Sequence, residues 1–297
     1  MNEYIYPIVF GVIVGTLSRL YMFRTDYRQY PSYPHGMVIH IALGFIASAL
    51  GTVAVPSIME QEFTAITFLT LAASQFRDVR NMERTTLQEM DKLELVPRGS
   101  SYIEGIAMTF EGRNYLVIFI SFVTTLTFLA LNFWWSVLVA LIAFLIARKY
   151  MSGNQLGDIS EIKQSKIHFD GAGLYVDDIY IMNIGIPERQ KEIMEHGLGF
   201  IVKPKNANAR STIANLGQRQ AILHDVSIAL GVYRDSGNPA LVPLIKRDLD
   251  DGRIGVFILP QEKDPERAVT VISKVPILEN ALRMPTESES NQKGRGA

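Results

Sequence analysis

The chain has 297 residues, no cysteine and a formal net charge of −1, from 29 Lys and Arg against 30 Asp and Glu. The missing cysteine excludes disulfides, a cysteine nucleophile and thiolate-bound zinc. The near-zero charge argues against a nucleic-acid binder that works through bulk positive potential. Charged residues are 20% of the whole, but nearly all long apolar runs fall before about Arg148. The chain therefore divides into an apolar first half and a second half of ordinary soluble composition.

The first apolar run, Tyr4 to Phe23, is about 20 residues long, enough to cross a bilayer core. Ser18 and Arg19 interrupt it near its end, where a long arginine can reach the interface. Positive charges follow the run instead of preceding it, so it reads as an uncleaved span and not as a signal peptide. Next comes RTDYRQYPSYPHG, Arg24 to Gly36. Pro31 and Pro34 exclude a regular helix across its middle, and Tyr21, Tyr27, Tyr30 and Tyr33 suit the headgroup region. The second run, Met37 to Met59, places Gly44, Ala47, Ser48 and Gly51 on one face, which permits close helix contact. His40 lies one turn inside it, as an interhelical hydrogen-bonding group or a catalytic one.

The third run, Phe63 to Phe76, is short for a span, and its helix is expected to continue through Arg77 to Leu87 with a polar end. Leu93 to Ser101 reads as a connector. It contains LVPRGS, identical to a thrombin recognition site and taken as native. Asn114 to Leu131 and Phe133 to Ala147 read as two further spans at the lower length limit, with Trp134 and Trp135 as interfacial anchors beside Asn132.

The expected architecture is an α-helical multi-pass membrane domain of about five spans over residues 1–150, with cytoplasmic loops at 24–36 and 77–113. A small soluble α+β domain follows over 151–285, then a disordered tail at 286–297. Lys and Arg gather in alternate loops (Arg19, Arg24 and Arg28; Arg77 to Arg113; Arg148 and Lys149), and the opposite loops have none. The positive-inside rule then places the N-terminus outside and the C-terminal domain in the cytoplasm.

Within the soluble half, KIHFDGAGLYVDDIYIMNI reads as a hairpin turning at Asp170 to Gly173. Pro187 to His196 reads as a short helix stopped by Gly197, GFIVKPK as a strand and Ala207 to Leu230 as one long helix. Ala240 to Leu249 reads as helix or extended chain before the buried strand RIGVFILP. Asp264 caps a last helix that begins at Pro265. HFDGAG lacks the strand-turn-helix context of a phosphate cradle. Asp177 and Asp178 read as a solvated acidic pair rather than metal ligands. DLDDG, Asp248 to Gly252, lacks the bidentate Glu of a calcium loop. The expected metal and cofactor content is none.

The hexapeptide YIEGIA, Tyr102 to Ala107, resembles the signature of the YIEGIA family of membrane proteins, found among endospore-forming Firmicutes. RTDYRQYPSYPHG, QFRDVRNMER and ELVPRG also look like the family's pattern. The resemblance covers the membrane half on motifs and the soluble half by continuity, and it implies a role linked to sporulation. It supplies no residue-by-residue catalytic mechanism.

Three functions compete for the polar residues. Asp26 and Asp78 lie just past two spans on the same predicted side, where paired carboxylates could activate water in a membrane-embedded aspartic-type peptidase. The GxGD signature of such enzymes is absent, and flanking arginines favour two ionised carboxylates over a shared proton. Alternatively Arg28, His40, Arg77, Arg80, Glu83, Arg84, Glu104, Glu111 and Arg113 form an interfacial ion-pair network that ties helix ends together. The same arginines could also hold an anionic lipid head group. The leading reading is a membrane scaffold or regulator. Its partners are the lipid bilayer and a protein on the cytoplasmic side, with no nucleic acid.

Overall fold

A computed structural model describes residues 2–26, 34–150, 154–233 and 241–278. The chain folds as two compact units, Met1–Thr85 with Ile106–Ser152, and Thr86–Gly105 with Gly153–Ala297.

The first unit is helical. Its elements are α1 (Asn2–Asp26), α2 (Pro34–Met59), most of α3 (Phe63–Asp91), α4 (Ser100–Ala130) beyond its first turns, and α5 (Phe133–Tyr150). Pro34 opens α2 as its first residue, where the missing N–H costs no helical bond. Asn132 Oδ1 accepts from the amides of Trp134 at 3.0 Å and Trp135 at 3.2 Å, which caps α5. Among the described residues, three helices are long and apolar enough to cross a membrane: Glu3–Arg24, Gly36–Met59 and Ser100–Ala130. Phe133–Ile146 is a shorter apolar helix, and α3 is apolar only in its first half.

This unit turns apolar side chains outward. Val38, Phe45 and Ile46 of α2, Phe119 of α4, and Trp134, Leu141 and Leu145 of α5 are all exposed. Its interior is a seam of small residues. Gly11 and Gly15 of α1 abut Thr52 and Ser48 of α2 and Thr125 and Ser121 of α4. A methyl group at Gly15 would overlap both Ser121 and Ser48. Such close approach gives apolar helices the van der Waals contact that holds them in lipid, where water drives nothing together. Gly44, Ala47, Ser48 and Gly51 are all buried, as their spacing predicts.

One expectation needs correction here. Arg19 does not reach an interface: it is 1% exposed, the largest fully buried side chain among the described residues, with its stem against Gly44. Residues 77–113 are almost wholly helical, with the expected continuation of the third helix through Leu87. α3 runs to Asp91 and α4 begins at Ser100, so only 92–99 connect them. Asp91 accepts from the backbone amides of Arg98 at 2.7 Å and Gly99 at 2.9 Å, closing that connector.

The second unit has three layers. Four strands form an antiparallel sheet in the order β1 (Ser160–Ser165), β5 (Leu198–Pro204), β7 (Ile254–Ile258), β6 (Leu244–Arg247). A second antiparallel sheet holds β2 (Ile167–Asp170), β3 (Gly173–Val176) and β4 (Ile179–Asn183). Between the sheets, Leu174, Val176, Ile179 and Ile181 pack with Phe257, Leu259 and Ile193 of α7 (Pro187–His196). The short α6 (Leu156–Ile159) leads into β1. Three helices lie against the larger sheet and one another: α8 (Ala207–Ala214), α9 (Leu216–Leu230) and α10 (Pro265–Lys274). Pro187 and Pro265 sit at helix starts, and Asp264 caps α10 by accepting from Arg267 N, as read from the sequence.

Three details differ from the sequence reading. The expected hairpin is a three-stranded meander, because Asp177 and Asp178 make a second tight turn, with Val176 paired to Ile179 and Asp177 at φ 56°. Aspartate tolerates this left-handed conformation better than most residues. The expected helix Ala207 to Leu230 is two helices, since Asn215 leaves helical geometry and caps α9 by accepting from Gln218 N. The ambiguous stretch before RIGVFILP contains strand β6.

Candidate functional site

In the helical unit a set of polar groups faces inward. On α3, Phe76, Arg80 and Glu83 recur at spacings of four and three, which puts them on one face. Phe76 is buried and Arg80 and Glu83 are half-buried. On α4, Phe110, Arg113, Asn114, Val117, Ser121 and Thr124 follow the same logic, and all are buried. His40 of α2 and Arg19 of α1 complete the lining.

His40 is the hub. Its Nδ1 lies 3.4 Å from Nη2 of Arg19, and its Nε2 lies 3.6 Å from Oε1 of Glu83. A guanidinium can only donate, so Nδ1 is the acceptor in this contact, and Nε2 faces the carboxylate. Phe110 meets the His40 ring edge-on at 4.8 Å, and the Arg19 guanidinium lies 5.7 Å from the Phe110 centroid. Alongside, Arg80 Nη1 pairs with Glu111 Oε2 at 3.1 Å, and Arg113 Nη1 donates to the Met22 carbonyl at 3.3 Å. One cluster thus ties α1, α2, α3 and α4. Neither amide atom of the fully buried Asn114 has a hydrogen-bond partner among the described residues.

The expected site residues separate into groups. His40, Arg80, Glu83, Glu111 and Arg113 line the helical interior. Arg84 is half-buried on α3, and Glu104 is half-buried on the first turns of α4, within the second unit. Arg77 and Asp78 are exposed, and Asp78 lies away from the face that carries Arg80 and Glu83. Asp26 ends α1, with its side chain outside the described residues, and Arg28 lies outside them altogether. Arg19 and Asn114 were not anticipated. An arginine near a helix end gives no sign of its direction until the facing Gly44 is known.

The hexapeptide straddles the two units. Tyr102, Ile103, Ile106 and Ala107 are buried. The Tyr102 backbone lies against Gly217 of α9. Nearby, His224 Nδ1 donates to the Val96 carbonyl at 2.8 Å, and its Nε2 has no partner among the described residues. Beside it, burial pushes the Asp225 carboxyl above the ordinary range, opposed by His224 and Arg98. Elsewhere Arg253 is ringed by Asp177, Asp178, Asp248 and Asp251. Its hydrogen bond to Asp178, at 2.8 Å, holds that carboxyl below the usual range and raises the guanidinium further. An arginine fills the space between acids that a cation would need. Among the described residues no three His, Asp or Glu side chains are grouped to hold a metal.

Comparison with known proteins gives two matches. The family model described as YIEGIA protein matches residues 7–288. Uncharacterized protein YphB of Bacillus subtilis (strain 168) is 63% identical over 292 residues, covering 98% of each chain. No solved structure matches.

Proposed function

The chain belongs to the YIEGIA protein family, and on that premise we propose that it is a five-span membrane scaffold or regulator with a sporulation-linked role. Its N-terminus lies outside and its second unit in the cytoplasm, where it engages a protein partner. The observation that carries this reading is the pairing of the inner polar groups with one another: Arg19 and Glu83 with His40, Arg80 with Glu111, Arg113 with a main-chain carbonyl. Groups that satisfy each other hold helices in register and leave little reactive capacity. Asp78, the second half of the expected carboxylate pair, is exposed on another face of α3. The sporulation link rests on the family, and the orientation rests on the distribution of Lys and Arg.

The test is complementation of a deletion strain of a spore-forming host with full-length wild type, Asp78→Asn and Glu83→Gln, reading membrane accumulation by blot and spore yield. Asp78→Asn accumulates and restores spores as wild type does, while Glu83→Gln accumulates less. An Asp78→Asn protein that accumulates normally yet fails to restore spores, with specific proteins persisting uncleaved, replaces the scaffold with the peptidase.

A further inference from the structure

Most arginines described in the second unit have an evident partner. Arg253 has its four aspartates, Arg189 pairs with Glu192, and Arg267 pairs with Glu262. Arg210 donates to the carbonyls of Leu249 and Asp250, both at 2.8 Å, and Arg98 lies over the Tyr102 ring. Arg219 and Arg247 are different. Arg219 lies in the first turns of α9, Arg247 ends β6, and α9 packs on β6. Both are half-buried. The Nε of each is buried without a hydrogen-bond partner among the described residues. Burial and the neighbouring charge of Arg247 together lower the Arg219 guanidinium from its ordinary range.

Two like charges in a partly desolvated place repel. Each guanidinium is also a planar fork that matches the oxygens of a phosphoryl group two at a time. An anion between them would supply the missing acceptors and cancel the repulsion. We propose that Arg219 and Arg247 form a binding site for a phosphoryl group, carried either by a phospholipid head group or by a small soluble phosphate compound. The site is remote in sequence from the helical ionic cluster and independent of the scaffold reading.

The test uses full-length protein in nonionic detergent, titrated with inorganic phosphate at constant ionic strength and followed by thermal unfolding. Phosphate raises the wild-type midpoint. Arg219→Gln and Arg247→Gln each weaken that response about tenfold or more, the loss expected for a charge-assisted hydrogen bond. Arg219→Lys, which keeps the charge and loses the fork, weakens it less. Without phosphate, Arg247→Gln is at least as stable as wild type, because the repulsion is gone. A parallel arm compares phosphatidylcholine nanodiscs with and without phosphatidylglycerol. Arginine-dependent stabilisation by phosphatidylglycerol assigns the site to a head group. An arginine-dependent phosphate response that phosphatidylglycerol leaves unchanged assigns it to a soluble compound. The proposal is overturned if neither probe shifts the wild type, if the Gln variants respond as wild type does, or if Arg247→Gln is destabilised in the absence of phosphate.

Discussion

The two units bury opposite things. In the helical unit Phe45, Trp134 and Leu141 are exposed, while Arg19, His40, Arg113 and Asn114 are buried. In the second unit Phe200, Val202, Val256 and Phe257 are fully buried, and the Arg253–aspartate group is on the outside. One chain thus obeys two solvents. Where water surrounds the fold, apolar burial drives it. Where lipid does, tight contact between small residues and pairing between polar ones must do so instead. The inversion explains why the same residue type means different things along the sequence. Arg253 in the second unit is held by acids at the surface, whereas Arg19 and Arg113 in the first are core residues.

Substitutions in the seam test this contrast most severely. Gly15→Leu places a branched side chain where even a methyl overlaps Ser121 and Ser48. No accumulation of the protein in the membrane fraction is the expected blot result. Normal accumulation would mean that α1, α2 and α4 do not meet as described.

The ionic cluster comes next. Arg19→Met leaves the buried His40 Nδ1 without the guanidinium that faces it, and should cost about 1–3 kcal/mol, the range for an unsatisfied buried acceptor. Thermal unfolding in detergent measures it. The triple change Arg19→Met, His40→Leu and Glu83→Leu should recover most of that loss, since an apolar replacement of a whole buried group is often neutral. Equal losses for the single and triple variants would show that the cluster does not act as one body.

A smaller effect is expected at Asp225. Its folded-state carboxyl is raised by burial, so the folded protein keeps that proton to higher pH than the unfolded chain does. The linked stabilisation is fully present below the unfolded value of about 4 and is lost as pH rises through the raised folded value. Asp225→Asn cannot ionise. It should raise the unfolding midpoint at neutral pH and flatten its pH dependence between acid and neutral conditions. An unchanged profile would show that Asp225 titrates as it does in the unfolded chain.

Periodicity made much of this legible. The small-residue face of α2, the extension of α3 past Arg77, the proline starts of α7 and α10 and the strands β5 and β7 follow from spacing and end signals alone. What remained hidden depended on partners distant in sequence. Arg19 needed Gly44 to make room for it. The first turns of α4 look like a polar loop because Glu104 and Glu111 are charged, yet Tyr102 and Ile103 are buried there. Asp177 and Asp178 read as an acidic patch because the turn they form lacks the usual Asn-Gly or Asp-Gly pair. Asn215 passed as a helix residue although it ends one helix and caps another. Among the site residues, the spacing of Arg80 and Glu83 already marks one face, and it separates them from Asp78.

The division of the chain has a topological consequence. The second unit is built from two separate pieces, 86–105 and 153–297. The chain therefore leaves this unit, makes α4 and α5, and comes back to it. The order of synthesis follows as well. Val96 and Tyr102 leave the ribosome long before His224 and Gly217, the residues they meet. Their apolar surfaces stay uncovered until α4 and α5 have been made, and a nascent chain halted at residue 152 would present them to whatever chaperone attends it.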